Sequence, residues 1–145
     1  MNEPAEWPFE IAIRVIFRDL DAMGHVNNAV YFTYMETART TFFVDGLRLA
    51  APGDLPVTVA EATCTYHSAL TMGEQVLVQM GVGRIGQRSF DLEYRMKAGN
   101  GRLVASAKTT MVTYDYSSGR AILVPANLHD LLNVSLAPSP LASPK

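Results

Sequence analysis

The chain has a single cysteine, no long apolar run and no excess of charge of either sign. Cys64 is alone among 145 residues, which excludes an internal disulfide and a metal cage built from several thiolates. The 12 lysine and arginine residues are balanced by 14 aspartate and glutamate residues, for a formal net charge of -2. This balance gives no electrostatic reason to expect binding to nucleic acid or to an anionic membrane.

The sequence also lacks the segments that direct a chain into or across a membrane. No apolar run approaches the roughly 20 residues that span a bilayer. The N-terminus, Met1–Glu6, is acidic and has no apolar core of a secretory signal. We therefore expect a cytoplasmic protein without membrane insertion. A length of 145 residues with 48% hydrophobic residues is typical of one domain with an ordinary core.

The hydrophobic pattern of the first third predicts a strand followed by one long helix. Apolar residues alternate over Phe9–Phe17, as they do on a half-buried strand. Over Ala29–Val44 they recur every three to four residues, as they do on one helix face. Asn27 or Asn28 is a natural N-cap for this helix, and Gly46 is a natural stop.

The remainder of the chain predicts antiparallel strands joined by hairpins. Alternation, or a composition rich in Val and Thr, marks four segments: Pro56–Tyr66, Val76–Val82, Phe90–Met96 and Leu103–Tyr114. A short helix is predicted over Pro125–Leu132, and the end of the chain, rich in Ser, Pro and Ala, is expected to fray. The prediction is an α+β domain, residues 1–133, in which a curved antiparallel sheet wraps around one long, mostly buried central helix. A flexible tail, residues 134–145, follows it.

The chemistry is concentrated in the loop before the long helix. Arg18–Asn28 contains carboxylates, a histidine and two adjacent asparagines. A helix N-terminus presents unpaired backbone N–H groups and the positive end of a dipole. Asp21 lies just before this helix start, so a base or nucleophile stands beside groups that can stabilise an oxyanion.

The segment Asp21–Tyr31, followed on the helix by Glu36–Arg39, resembles the signature of hotdog-fold thioesterases of the 4-hydroxybenzoyl-CoA thioesterase type. The same loop resembles that of the plant acyl-carrier-protein thioesterases. The order of strand, loop, long helix and further strands is similar to the hotdog fold across residues 8–130. The resemblance implies an acyl-CoA thioesterase that uses water, with no metal and no redox cofactor, and releases a carboxylic acid and CoA.

The resemblance also implies roles for three residues of the loop. Asp21 matches the aspartate that acts as nucleophile or general base on the thioester. Asn28 matches the position whose backbone N–H polarises the thioester carbonyl. His25 matches a histidine proposed as catalytic in the plant branch, but Met23 stands here where that branch has asparagine. His25 is therefore either catalytic or a structural hydrogen-bonding residue.

The other charged candidates lie outside this short motif. Arg84, Arg88 and Ser89 flank a predicted hairpin near which the family often meets the CoA tail, so they are candidates for binding its phosphates. The alternative is a solvated hairpin with ordinary surface charges. Asp19 is a second carboxylate near the loop, and we expect it to be solvated or paired with Arg18.

A curved sheet around one helix leaves edge strands, which favour pairing with a second copy. The resemblance implies the same, with the active site at the subunit boundary. We expect a homodimer, which could pair further into a homotetramer, acting on an acyl-CoA or on an acyl carrier protein. Two other functions stay open because a fold does not decide among them: a non-hydrolytic module that binds an acyl chain or acyl carrier, and a hotdog hydratase or dehydratase. Asp21 favours hydrolysis, since a binding module would not need that carboxylate.

Overall fold

The computed structural model describes residues 6–138, in which five long strands form one curved antiparallel sheet with a helix against its inner face. The first strand, β1 (Phe9–Arg14), leads through the loop to α1 (Val30–Leu47), a helix of 18 residues. The other elements are β2 (Val57–Tyr66), β3 (Gln75–Ile85), β4 (Ser89–Ala98), β5 (Leu103–Asp115), the two-residue β6 (Arg120–Ala121) and α2 (Ala126–Asn133).

The strand order is β1-β3-β4-β5-β2, and each neighbouring pair is antiparallel. One end of the sheet, which we call the loop end, holds the start of β3 and the end of β2. The loop before α1 is attached there, because Val26 donates its N–H to the carbonyl of Leu70 at 2.9 Å and His25 bridges to Thr71. The opposite end, which we call the turn end, carries the β3–β4 turn at residues 86–88 and the start of β2 at Val57.

The core lies between α1 and the inner face of the sheet. Alternate residues of β4 point to this face, and all of them are buried: Phe90, Leu92, Tyr94, Met96 and Ala98. The facing side chains of α1 are also buried: Tyr31, Tyr34, Met35, Ala38, Phe42 and Phe43. Each large apolar side chain contributes roughly 1.5–3 kcal/mol on burial, so this contact holds the helix to the sheet.

The curved antiparallel sheet with a helix agrees with the prediction, but the enclosure of the helix does not. Thr33, Glu36 and Thr37 form an exposed polar face of α1 in the single chain. The sequence of α1 has apolar residues beyond a single stripe, but the sheet covers only one side of the helix. The helix is therefore not enclosed.

The prediction that Gly46 ends α1 is wrong. The helix continues to Leu47, and Arg48 closes it in the left-handed conformation with φ 53° and ψ 49°. The missing side chain of Gly46 serves packing instead. A Cβ placed there would stand 2.7 Å from Cδ2 of Leu131 on α2, so the glycine lets the two helices approach closely.

The part of the expected flexible tail that the structure describes is packed against β3. Val82 donates its N–H to the carbonyl of Ser135, and Ala137 donates its N–H back to the carbonyl of Val82, both at 2.8 Å. Ser135 is buried. The segment therefore covers the edge of β3 beyond its pairing with β1, where an unpaired strand edge would otherwise be open. The rest of the expected tail, residues 139–145, lies outside the described residues.

We expect Gly81→Ala to detach this segment. A Cβ at Gly81 would stand 2.6 Å from Cα and 2.8 Å from N of Ala137, so backbone has to move, at a cost of roughly 1–3 kcal/mol. Urea denaturation should show this loss of stability, and hydrogen exchange should quicken at Ala137. Gly53→Ala is the matched control, because its Cβ would meet no atom within 4 Å. Equal stability of the two variants would contradict the packing.

Candidate active site

The loop before α1 is a closed turn. Asp21 donates its N–H to the carbonyl of His25 at 2.7 Å, and Gly24 donates its N–H to the carbonyl of Asp21 at 3.1 Å. Gly24 has φ 78°, a left-handed conformation that glycine adopts without strain. Leu20 and Val26 pair across the base of the turn. The loop therefore presents Asp21 from a fixed position at the loop end of the sheet.

Asp21 uses one carboxylate oxygen to brace the loop. Oδ1 accepts the backbone N–H groups of Met23 at 2.8 Å and His25 at 3.2 Å. The other oxygen, Oδ2, has no partner within residues 6–138. The side chain is exposed in the single chain. Oδ1 thus holds the loop together, and Oδ2 is free to contact a bound molecule.

Asn27 braces the start of α1. Its Oδ1 accepts the N–H of Ala29 and its carbonyl accepts the N–H of Val30, both at 2.9 Å. Its own N–H bonds the carbonyl of Asp19 at 2.9 Å. The prediction of Asn27 or Asn28 as the N-cap is wrong, because the cap residue is Ala29, which makes no side-chain cap bond. Asn27 bonds the helix start from two positions before the cap. The N–H of Asn28 has no acceptor among the described residues, and it lies at the positive end of the helix.

Asp21, His25 and Asn28 line one open pocket of about 390 Å³. The other wall comes from the first turn of α1 and from the chain that follows β2. The remaining lining residues are Val26, Tyr31, Tyr66, His67, Ser68 and Ala69. The structure therefore brings together all three residues predicted from the loop motif.

Tyr66 is a pocket residue that the sequence did not single out. Its hydroxyl donates to the carbonyl of Asn28 at 2.7 Å, and its ring packs edge-on against Tyr31 with centroids 5.0 Å apart. Burial raises the pKa of Tyr31. Partial burial, followed by the nearby Cys64 side chain, raises the pKa of Tyr66 to about 12. Both residues are therefore neutral hydroxyl donors at physiological pH.

Asp19 holds the fold rather than the chemistry. Its Oδ2 accepts the hydroxyl of Tyr34 at 2.9 Å and the N–H of Ile16 at 3.1 Å. Tyr34 is buried at 3% exposure, and burial together with the bond to Asp19 raises its pKa. The expectation that Asp19 is solvated or paired with Arg18 is wrong, because the residue is half-buried and no ion pair joins it to Arg18 in the described part of the chain. A buried hydroxyl needed a partner, and Asp19 supplies it.

The three candidates for CoA binding lie at the turn end. Arg84 donates to Ser89 Oγ at 2.9 Å, and its Nε and Nη2 groups each donate to Asp91 at 3.3 Å. The Asp91 side chain is 11% exposed, so Arg84 neutralises a nearly buried carboxylate. Arg88 is exposed.

The same three candidates are far from the pocket in their own chain. The length of β3 separates the loop end from the turn end, and its 11 residues extend over roughly 35 Å at about 3.3 Å per residue. Within one chain, the structure does not bring Arg84, Arg88 or Ser89 to Asp21.

Within residues 6–138 no group of three or more His, Cys, Asp or Glu side chains is placed to hold a metal ion. In that same range, no helix has the length and apolar character needed to cross a membrane. Cys64 is partly buried on β2, and burial raises the pKa of its thiol. It is therefore a poor thiolate nucleophile.

A curved antiparallel sheet with one long helix against its inner face is the architecture of a hotdog protein. The chain belongs to the thioesterase-like superfamily, whose sequence profile matches residues 15–132. The resemblance predicted from Asp21–Tyr31 is thereby confirmed, and with it the assignment to a class of thioester hydrolases.

Solved structures agree with this membership. A thioesterase from Thermus thermophilus, complexed with coenzyme A and Zn, is 29% identical with a TM-score of 0.81, over 88% of this chain and 93% of that chain. The 1,4-dihydroxy-2-naphthoyl-CoA thioesterase Slr0204 from Synechocystis is 15% identical with a TM-score of 0.78, over 86% and 95%; at that identity it shows the fold alone. An uncharacterised protein of Bacillus subtilis (strain 168), YsmA, is 24% identical over 110 residues, which are 76% of this chain and 75% of its own.

We expect Tyr34 and Asp19 to be coupled in stability. Tyr34→Phe removes the hydroxyl from a buried hydrogen bond, which should lower the free energy of unfolding by about 1 kcal/mol. Combining it with Asp19→Ala should cost less than the sum of the two single changes, because both remove the same bond. Urea denaturation of the two single variants and the double variant measures the coupling. Strict additivity would show that the 2.9 Å contact contributes nothing.

Proposed function

We propose that this protein is an acyl-CoA thioesterase in which Asp21 acts as nucleophile or general base and the Asn28 N–H stabilises the oxyanion. The observation that carries the proposal is their shared pocket at the start of α1. One carboxylate oxygen and one backbone N–H in it have no partner within the described residues. Membership of the superfamily supports a thioester substrate. The relative complexed with coenzyme A supports CoA as the thiol.

The proposed reaction follows from the charge that develops on the substrate. Attack on the thioester carbonyl places negative charge on its oxygen, and a preorganised N–H donor there is worth roughly 10²–10³ in rate. The free oxygen of Asp21 either attacks the carbonyl carbon or takes a proton from the attacking water. The C–S bond then breaks, and CoA leaves as a thiolate. If water attacked, the carboxylic acid forms directly; if Asp21 attacked, the acyl group remains on it as a mixed anhydride, which water hydrolyses to the carboxylic acid and the free carboxylate. Because a thiolate is a good leaving group, no strong general acid is required.

His25 has a lesser role in this proposal. Its backbone closes the turn through both its N–H and its carbonyl, which bond Asp21. Its side chain lines the same pocket. The backbone contacts do not depend on the imidazole, so replacing the side chain should leave Asp21 in place.

Asp21→Asn tests the chemistry. Asn keeps an Oδ1 that accepts the loop hydrogen bonds, so the fold should survive, while kcat should fall on the order of 10³ or more. The assay is a panel of acyl-CoAs with detection of the free thiol. Asp54→Asn is the matched control, because Asp54 also accepts a loop N–H, that of Ala51 at 3.2 Å, but lies outside the pocket.

The panel also separates the alternatives. His25→Ala should lose less activity than Asp21→Asn, and an equal loss would place His25 in the chemistry. A folded Asp21→Asn protein with a nearly wild-type rate would contradict the role of Asp21. Binding of acyl-CoA without any hydrolysis by the wild type would favour the non-hydrolytic module instead.

We also propose that the active unit is a homodimer paired through β2. This strand forms one edge of the sheet, and most of its residues are exposed, with Val59 at 40% and Tyr66 at 42%. Glu36, from the exposed polar face of α1, lines a pocket together with Val57 and Val59 of this strand. An open strand edge is a template for pairing with another chain, and a closed two-fold dimer satisfies it on both copies.

Antiparallel pairing of two β2 strands would place the turn end of one chain beside the loop end of the other. Val57 marks the turn end of β2 and pairs with Thr113, which donates its N–H to the carbonyl of Arg88. The partner's Arg88 would therefore approach the Asp21 pocket. We propose that this guanidinium, exposed and outside any ion pair within residues 6–138, contacts the CoA phosphates.

Arg88→Glu tests the shared site. Arg84→Ala is less suitable, since it would also remove two hydrogen bonds from the nearly buried Asp91 carboxylate and so change stability along with any contact to CoA. Arg88→Glu should raise KM for acyl-CoA and leave the acyl-pantetheine thioester, which lacks the nucleotide, nearly unaffected. Mixing it with Asp21→Asn subunits at low acyl-CoA should restore activity, because each heterodimer would contain one intact site.

The mixture has two outcomes that would refute the shared site. A rate equal to the mean of the two separate variants after subunit exchange would place Asp21 and Arg88 in the same chain's site. Light scattering that shows an active monomer at the assay concentration would remove the dimer altogether.

A further inference from the structure

We propose that the Tyr66 hydroxyl is a positioning group that fixes the first turn of α1 so that the Asn28 N–H meets the thioester oxygen. This inference rests on the proposed function, because it concerns the donor that stabilises the oxyanion. It adds a residue that lies 38 positions away in sequence and outside the loop motif.

The peptide between Asn28 and Ala29 is held at both of its polar ends. Tyr66 donates its hydroxyl to the carbonyl of Asn28 at 2.7 Å. The N–H of Ala29 donates to Oδ1 of Asn27 at 2.9 Å. Because a peptide group is planar, bonds on its two opposite edges restrict rotation about the Cα–C bond of Asn28.

The peptide before it is half bonded. The carbonyl of Asn27 accepts the N–H of Val30 at 2.9 Å, and the other polar group of this peptide is the N–H of Asn28. Hydrogen bonds in a chain polarise one another, so a bonded carbonyl makes the N–H of the same peptide a better donor. The two peptides that flank Asn28 have four polar groups, and three of them are hydrogen-bonded. The fourth, the N–H of Asn28, is the proposed oxyanion donor.

Among these bonds, the one from Tyr66 ties the helix start to the sheet. The two bonds to Asn27 are local, so they would move with the first turn as one unit. Helix ends fray readily, and the N-cap residue, Ala29, makes no side-chain bond to the first turn. Tyr66 closes β2, and its ring is supported edge-on by Tyr31. The hydroxyl therefore transfers the rigidity of the sheet to the N-terminus of α1, as a preorganised donor requires.

Tyr66 does not need to touch the reacting atoms. Its proton is engaged with the carbonyl of Asn28, and its pKa of about 12 keeps that proton in place at any ordinary assay pH. Its effect should therefore fall on the rate of the chemical step rather than on substrate affinity.

Tyr66→Phe removes the hydroxyl and keeps the ring against Tyr31. We expect kcat to fall roughly 3- to 10-fold, as the loss of one neutral hydrogen bond implies, with KM unchanged within about twofold. Tyr94→Phe is the matched control. The Tyr94 hydroxyl shares a hydrogen bond with Thr109 Oγ1 at 2.8 Å in the core, so the variant loses one tyrosine hydrogen bond away from both ends of the sheet. Its kcat should equal that of the wild type.

A spectroscopic readout separates positioning from general stability. The probe is a ketone analogue of acyl-CoA, with CH2 in place of sulfur and a 13C label at the carbonyl. Its resonance should move downfield on binding to the wild type and to Tyr94→Phe, because the Asn28 N–H polarises the carbonyl. In Tyr66→Phe the downfield movement should be smaller. A purely structural role would lower the melting temperature and leave the resonance of the bound ketone unchanged.

The two proposals fail differently. An unchanged kcat and an unchanged carbonyl resonance in folded Tyr66→Phe would overturn the role of Tyr66. Loss of activity in Asp21→Asn would still support the proposed thioesterase function in that case. The resonance needs no turnover. A wild type that binds the ketone but hydrolyses no thioester would overturn the proposed function, and the shift would still decide whether Tyr66 positions the donor.

Discussion

Six side chains of α1 are buried against the inner face of the sheet, and their burial is worth on the order of 10 kcal/mol. That contact fixes where the helix begins, and the helix start is the electrostatic centre of the pocket. The loop and the end of β2 then only need to meet a terminus whose position is already set. They do so with hydrogen bonds, which are individually weak but directional, so the apolar contact supplies the stability and the polar contacts supply the geometry.

The two carboxylates near the loop show how burial divides their roles. Asp19 faces a buried tyrosine hydroxyl, and a buried donor without an acceptor is costly, so its carboxylate is committed to the fold. Asp21 faces the pocket and meets only backbone N–H groups with one oxygen. The residues are two positions apart in a turn, yet one is a structural acceptor and the other has an oxygen left for chemistry. Sequence proximity alone could not have separated them.

Features with a local cause were predictable. The period of the apolar residues predicted a helix over Ala29–Val44, close to the observed Val30–Leu47, and alternation placed the strands. Asp21, His25 and Asn28 share a pocket because they lie on one short loop. Gly46 was misjudged because its reason, the approach of Leu131 from α2, is a tertiary contact.

Contacts that side chains make with other parts of the fold could not be predicted from the sequence for the same reason. The bond from Tyr66 to Asn28 depends on where β2 ends against α1. The engagement of Arg84 by Asp91 depends on a register shift in the β3–β4 pair. No local pattern signals either contact, and both change the interpretation of the site. One adds a residue to it, and the other pairs a candidate phosphate ligand with a nearly buried carboxylate.

A single chain is an incomplete setting for the proposed chemistry. Asp21 is exposed, one face of α1 and the edge of β2 are open, and the exposed cation at the turn lies the length of a strand away. A second copy paired along β2 would account for all four features. It would cover the open helix face and strand edge, and it would bring the partner's Arg88 toward the pocket. It would also exclude water around Asp21 and the Asn28 N–H, and electrostatic interactions strengthen as water is removed. The same strand that carries Tyr66 to the helix start would then join the two subunits, so positioning of the donor and assembly of the site would depend on one element.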